Sequence, residues 1–373
     1  MKHIKIVFFL FLLILIALFV VYKIPKTGKS KVFYFGSTEE EKEEKNKSGL
    51  SENEKLLDGL SLDQKIGQMF IIGFDGTEIT PEIEKLVKEI HPGGILLLKR
   101  NVEDEAQLKK LISSLQEIAL NDTGLALFIA VDQEGGLVSR VDWLYSVPQS
   151  EIRNKNEAYQ IGKDRGEELK KLGINLNLTP LLDISEKNDF IYERAFHKDI
   201  ETIKVLAENI IKGQKDAGIF TSIKHFPGYT GISFNPEEKL AIKETIPEIS
   251  QFQDLEILPE MVMTSNVIYK EIDESLPFTL SKKGIQFLKE KIKGNYLIIS
   301  DDLSQNSLLD EFTLNEIVSL PVKAGVDILI FSGWRIEAEK GFLALKKALE
   351  NNQVSETQID KSVLKIIGLK NVK

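Results

Sequence analysis

The stretch LALFIAVDQEGG, residues 125–136, decides the fold. Leu125 to Val131 form an unbroken apolar run that stops at Asp132. A run too short for a buried helix and without polar alternation suits a strand covered on both faces, as in parallel sheets flanked by helices. Similar runs lie on either side, at Gln68–Phe74 (QMFIIGF), Gly94–Leu98 (GILLL), Ile174–Pro180 (INLNLTP), Phe220–Phe226 (FTSIKHF), Met261–Asn266 (MVMTSN), Asn295–Asp301 (NYLIISD) and Val326–Ser332 (VDILIFS). Amphipathic patterns fill the gaps, among them Glu82–Ile90, Glu105–Leu120, Ile203–Ala217, Ser281–Ile292 and Leu314–Lys323. Eight strands alternating with helices predict an α/β fold, a (β/α)8 TIM barrel in a single domain. A doubly wound sheet is the alternative, but no G-x-G-x-x-G follows the first strand and the count of eight favours closure.

A barrel of this kind carries its chemistry at the carboxyl ends of its strands. Those ends read Asp75, Lys99 with Arg100, Asp132, Lys224 with His225, Asn266, Asp301 with Asp302, and Ser332. Strands often end at polar residues, yet ionisable groups gather on this one rim, which points to an enzyme. Asp301 and Asp302 are neighbours on an extended strand, so only one of them faces the centre. Asp301 has a plainer alternative role, capping the next helix.

The chain has 373 residues and no cysteine, which excludes disulfides, thiolate zinc sites and cysteine nucleophiles. No cluster of His and carboxylates has ligand spacing, so neither a metal nor another cofactor is implied. Net charge is −9, but residues 1–31 hold six Lys and no acid, and the other 42 basic against 57 acidic residues leave −15 on the remainder. An acidic body without a basic stripe argues against nucleic acid as partner. Residues 6–22, IVFFLFLLILIALFVVY, are uncharged and apolar all round. The segment reads as an uncleaved transmembrane anchor within residues 1–31, because a cleaved signal peptide expects a shorter apolar core and small residues at an A-x-A site. Lysine counting places the following side inside, whereas the region after such a segment is commonly exported, which places the body outside; we expect an extracytoplasmic body. Residues 32–57 read as a charged, flexible linker and residues 58–373 as the barrel.

Five stretches resemble the N-terminal barrel of glycoside hydrolase family 3, and most closely its β-N-acetylhexosaminidases: IGQMFIIGFDGTEIT (66–80), HPGGILLLKRN (91–101), AVDQEGGLVSR (130–140), IKHFPG (223–228) and IISDDLS (298–304). Weaker echoes are NLNLTPLLDI (175–184), ERAF (193–196) and VMTSNVIY (262–269). The resemblance implies a retaining hydrolase of β-linked N-acetylhexosamine glycosides, with peptidoglycan fragments as substrate. It makes Asp301 the nucleophile that forms a glycosyl ester. It makes Asp132, Arg194, Lys224 and His225 sugar contacts, with Arg140 and Arg100 behind them.

The same resemblance marks departures. In the hexosaminidases KHFPG continues approximately as H-G-D-T-x-x-D-S-H, and the last Asp and His form the acid/base dyad. Here the continuation is YTGISFNPE, which puts Tyr229 at the first His, Gly231 at the first Asp, Asn235 at the dyad Asp and Glu237 at the dyad His. Leu137 stands where an arginine usually follows DQEGG, and Asn266 where a histidine is usual. Two expectations compete: Glu237 or Glu238 takes over proton donation, or the barrel is impaired and serves as a glycan-binding or scaffold protein at the envelope. A β-glucosidase is a third.

Overall fold

The structure, a computed structural model, describes residues 50–371 except 145 and 334–336. Among the described residues ten strands run in chain order as β1 (Phe70–Ile72), β2 (Gly94–Leu97), β3 (Phe128–Val131), β4 (Leu176–Asn177), β5 (Phe220–Phe226), β6 (Ala241–Lys243), β7 (Met261–Thr264), β8 (Val267–Tyr269), β9 (Leu297–Asp302) and β10 (Ile328–Phe331). Eight of them close in the order β1-β10-β9-β7-β5-β4-β3-β2, with every pairing parallel. The barrel expectation therefore holds, and each of the eight apolar runs contains or overlaps one barrel strand. The doubly wound alternative fails on one pairing: β1 bonds β10 in register Phe70↔Leu329 and Ile72↔Phe331, which leaves this sheet no free edge.

The strands are buried on both faces because helices cover the outside. These are α1 (Glu52–Gly59), α2 (Leu62–Gln68), α3 (Pro81–Ile90), α4 (Glu105–Thr123), α5 (Lys155–Leu172), α6 (Ile200–Ala217), α7 (Lys282–Lys291), α8 (Asn306–Leu309), α9 (Leu314–Ala324), α10 (Ala338–Glu350) and α11 (Glu356–Lys370). Their starts are set chemically: the side chains of Thr80, Asp104, Asn154, Asp199, Ser281 and Thr313 accept amide hydrogens of the first turn. At the amino end of the barrel the buried Asp327 accepts from the Ile298 amide, the Ser362 hydroxyl and the Lys365 ammonium, each at 3.0 Å, and so joins β9, β10 and α11.

Two features lie outside the sequence reading. A separate two-stranded sheet pairs β6 with β8 in parallel, Ala241↔Val267 to Lys243↔Tyr269, just beyond the loop that leaves β5. At the other end, Ser51 caps α1 with a reciprocal Ser51–Glu54 pair, so helix occupies residues 52–57 of the stretch read as linker. Asn53 accepts a hydrogen bond from Asn371 at 2.8 Å, which ties α1 to the end of α11. The expected anchor at residues 6–22 lies outside the described residues; among the described residues no helix is long and apolar enough to cross a membrane.

Closure depends on a tight seam. The Gly73 amide donates to Phe331 O at 2.8 Å, and a Cβ on Gly73 would lie 2.3 Å from Ser332 O. Gly73→Ala must push β1 from β10, and urea unfolding should show a loss of about 2 to 3 kcal/mol, the cost of overpacking a close-packed contact.

Candidate active site

A cavity of about 470 Å³ opens at the carboxyl ends of the strands. Asp132, Arg194, Lys224, His225, Glu237 and Asp301 all line it, so the six residues that the sequence places first meet in one space. Its size suits one sugar ring with part of its neighbour.

One wall is a buried ion cluster. Asp132 follows β3, and the chain then turns through Gly135 and Gly136, whose φ of 96° and 63° lie in the left-handed region that favours glycine. Gln133 folds the loop back by accepting from the amides of Arg140 and Val141 at 2.9 and 3.1 Å. The turn drives Glu134 inward, where its side chain is 1% exposed. Arg194 holds Glu134 in a two-pronged bond, Nε to Oε2 at 3.0 Å and Nη2 to Oε1 at 2.7 Å. Lys224 reaches both carboxylates, 2.6 Å from Glu134 Oε1 and 2.6 Å from Asp132 Oδ1. Burial alone raises a carboxyl pKa, yet Arg194 and Lys224 hold Glu134 far below the carboxylate range, and Lys224 and Arg140 hold Asp132 below it. Arg140 stands 3.6 Å from Asp132 Oδ2 and is the outermost member. Behind Glu134, burial lowers the Arg165 guanidinium to about 10.

His225 is fixed from below by Asp183, whose Oδ2 lies 2.9 Å from both the His225 amide and its Nδ1. Of the three body histidines only His225 lines the cavity; His91 pairs with Asp122 at 2.6 Å, and His197 stacks on Tyr192 at 4.0 Å.

The opposite wall carries Asp301, at the end of β9. Its Oδ2 accepts the Tyr229 hydroxyl at 2.5 Å and its Oδ1 the amide of Asp302 at 2.7 Å. Helix-capping does not account for it, since the cap position of α8 is Gln305 and no side chain caps that helix. Asp302 also borders the cavity, but its carboxylate is taken up at the β9–β10 seam, where it accepts from Ser332 and Ser304, while burial pushes its pKa upward. Arg100 also serves a seam: it bonds Phe74 O at 3.1 Å, Ser332 O at 2.5 Å and the Asp75 carboxylate at 2.6 Å. Asn266 is buried behind the wall and donates to Asp302 O and Gln305 Oε1.

Glu237 is exposed at the mouth yet lines the cavity. Loss of solvent on the cavity side, reinforced by the negative charge of Asp301, raises its carboxyl above the usual range. Its position is set twice: its amide donates to Asn235 Oδ1 at 3.0 Å, and its carbonyl accepts the Ser307 amide of α8 at 3.0 Å. Asn235 thus uses its side chain to form the turn that presents Glu237. Glu238 is exposed and does not line the cavity.

Residues 61–369 match the model of the glycosyl hydrolase family 3 N terminal domain. The chain belongs to that family. Similar relatives include a β-hexosaminidase of Idiomarina loihiensis, 30% identical over 278 residues that span 70% of this chain and 82% of that protein. The β-hexosaminidase LpqI of Mycobacterium tuberculosis is 26% identical and matched over 83% of each chain. The structure of a family 3 β-N-acetylglucosaminidase from Paenibacillus sp. superposes with TM-score 0.77 at 30% identity, covering 84% of this chain and 62% of that one.

Sequence reasoning missed Glu134, Asp183 and the role of Tyr229. Glu134 stands in the quoted DQEGG and Asp183 in NLNLTPLLDI, so the signal was in the motifs, but only the fold tells which carboxylate turns in. Glu134→Gln leaves two buried cations undercompensated and should cost on the order of 3 kcal/mol or more in urea unfolding at neutral pH. A carboxyl with depressed folded-state pKa stabilises above its unfolded value and loses that contribution as pH falls through and below it, so the variant should also unfold with a shallower acid dependence than the wild type.

Proposed function

We propose that this family 3 glycoside hydrolase is a retaining β-N-acetylhexosaminidase in which Asp301 is the nucleophile and Glu237 the acid/base. One observation carries the reading: a carboxylate held by two donors faces the same cavity as a second carboxyl whose pKa is raised. Retaining hydrolysis requires that pair. The names of the relatives, β-hexosaminidase and β-N-acetylglucosaminidase, support the sugar class.

In the first step an Asp301 oxygen attacks the anomeric carbon while the bond to the leaving oxygen breaks, and that oxygen takes the proton of Glu237. In the second, water gives a proton to the Glu237 carboxylate and its oxygen displaces Asp301, which departs with the electron pair of the ester bond. Lys224, Arg194 and Arg140 are already paired with carboxylates, so the wall presents fixed dipoles that bind hydroxyl and N-acetyl oxygens without reorganising. His225, oriented by Asp183, turns its other ring nitrogen to the sugar, and Asp132 accepts from sugar hydroxyls.

Amino-sugar glycan from the cell wall, such as peptidoglycan fragments, is the substrate we infer. The apolar, lysine-flanked segment at residues 6–22 supports a membrane-anchored chain with an extracytoplasmic body. Protease added to intact cells should then cut within residues 36–55, and protection of that stretch would place the body in the cytoplasm.

Asp301→Asn should lower turnover of an aryl β-N-acetylglucosaminide by about 10⁴-fold or more, and an aryl β-glucoside should be the poorer substrate of the wild type. Glu237→Gln should slow unactivated glycans by roughly 10²- to 10⁴-fold and a nitrophenyl glycoside far less, because that leaving group needs no proton. Since the Glu237 pKa is raised, the acid form persists above the usual carboxylate range; kcat/KM should fall on the alkaline side as it ionises, and this limb should vanish in Glu237→Gln. Binding of cell-wall oligosaccharide without turnover of any of these substrates would replace the enzyme by the glycan-binding barrel that the altered dyad positions, Asn235 and Glu237, also accommodate.

A further inference from the structure

Tyr229 is buried in the cavity wall, and a role for it rests on Asp301 being the nucleophile. Its phenol oxygen lies 2.5 Å from Asp301 Oδ2 and receives the Asn266 amide hydrogen at 3.0 Å. With that donor already aimed at the oxygen, the single phenol hydrogen is left for the carboxylate. The other end of the residue is fixed as well, because its amide donates to Asp183 Oδ1 at 2.6 Å. The ring packs edge-on against His225 with centroids 5.0 Å apart. One buried carboxylate, Asp183, therefore sets both the sugar-facing His225 and the partner of the nucleophile. Burial and the neighbouring charge of Asp301 push the phenol well above its ordinary value, so it keeps its proton at any working pH.

We propose that Tyr229 is a positioning residue that holds the Asp301 carboxylate for attack and assists its departure from the glycosyl ester. The bond is strong while Asp301 is an anion and weak once Oδ2 or Oδ1 is esterified, because the acceptor has lost its charge. It therefore favours the second step, in which the C1–O bond to Asp301 breaks, its electron pair returns to the carboxylate and the phenol hydrogen bond is restored. No proton leaves Tyr229 in either step.

Tyr229→Phe in the full-length chain keeps the ring and removes this donor. With a nitrophenyl β-N-acetylglucosaminide, kcat should fall about 10- to 100-fold, the worth of a hydrogen bond to an ion, with KM falling alongside and a burst of one nitrophenol per enzyme. A drop in kcat/KM with no burst and no fall in KM is what a packing defect gives, and it overturns the proposal. The second arm needs neither turnover nor a disruptive variant. A 3-fluorotyrosine placed at position 229 is followed by fluorine NMR at neutral pH, with and without Asp301→Asn. Besides Asp301, Tyr229 touches Asp183 and His225, while Asp302, Glu237, Lys224 and Arg194 line the same cavity; all of these stay in the variant, so any change reports Asp301. The fluorine resonance should shift when that charge is removed, and an unmoved resonance overturns the pairing. A wild-type chain that releases no nitrophenol defeats the hydrolase reading, and with it the assisted departure, while the fluorine comparison still decides the pairing.

Discussion

The charged wall of the cavity depends on burying Glu134. A carboxylate withdrawn from water costs several kcal/mol unless cations replace the lost solvent, and here Arg194 and Lys224 do so at hydrogen-bond distance. Each cation is supplied by a different part of the chain, the turn before α6 and strand β5, so the three positions constrain one another. Lys224 then has a second bond for Asp132, which fixes where the first strand-end carboxylate points into the cavity. A pocket wall made this way is rigid because moving any member exposes an unpaired charge.

The fold was legible because barrel burial writes directly into composition: strands covered on both faces appear as unbroken apolar runs, and β3 or β10 cannot be mistaken for half-exposed strands. The rim was legible for the same reason, since the first polar residue after each run marks the strand end. What stayed hidden involves contacts between segments remote in sequence. Glu134 is held inside by Arg194 and Lys224, which lie far along the chain from it. The β6–β8 sheet is short, and the alternating burial of Ala241, Ile242 and Lys243 is too brief a pattern to stand out. Helix α5 was equally quiet, because its sequence, KNEAYQIGKDRGEELKKL, is largely polar and buries mainly small and aliphatic positions along one stripe.

The loop after β5 illustrates a different limit. Comparison with the family motif marks Tyr229, Asn235 and Glu237 as losses, since each replaces a residue with an expected role. In space each has work of its own: Tyr229 bonds Asp301, Asn235 forms the turn, and Glu237 enters the cavity mouth. Substitutions that look like decay one at a time are mutually consistent once their contacts are known.

The amide of Ser307 bound to the carbonyl of Glu237 joins the loop to the first turn of α8, and α8 is reached only a few residues after Asp301. The two carboxyl groups proposed for the chemistry therefore belong to one mechanical unit, linked by a short covalent path on one side and a backbone hydrogen bond on the other. Through this bond the position of Glu237 follows that of α8. The spacing of the two carboxyl groups is thus written into the junction of loop and helix, and a change that loosens that junction alters the spacing before it touches either carboxyl.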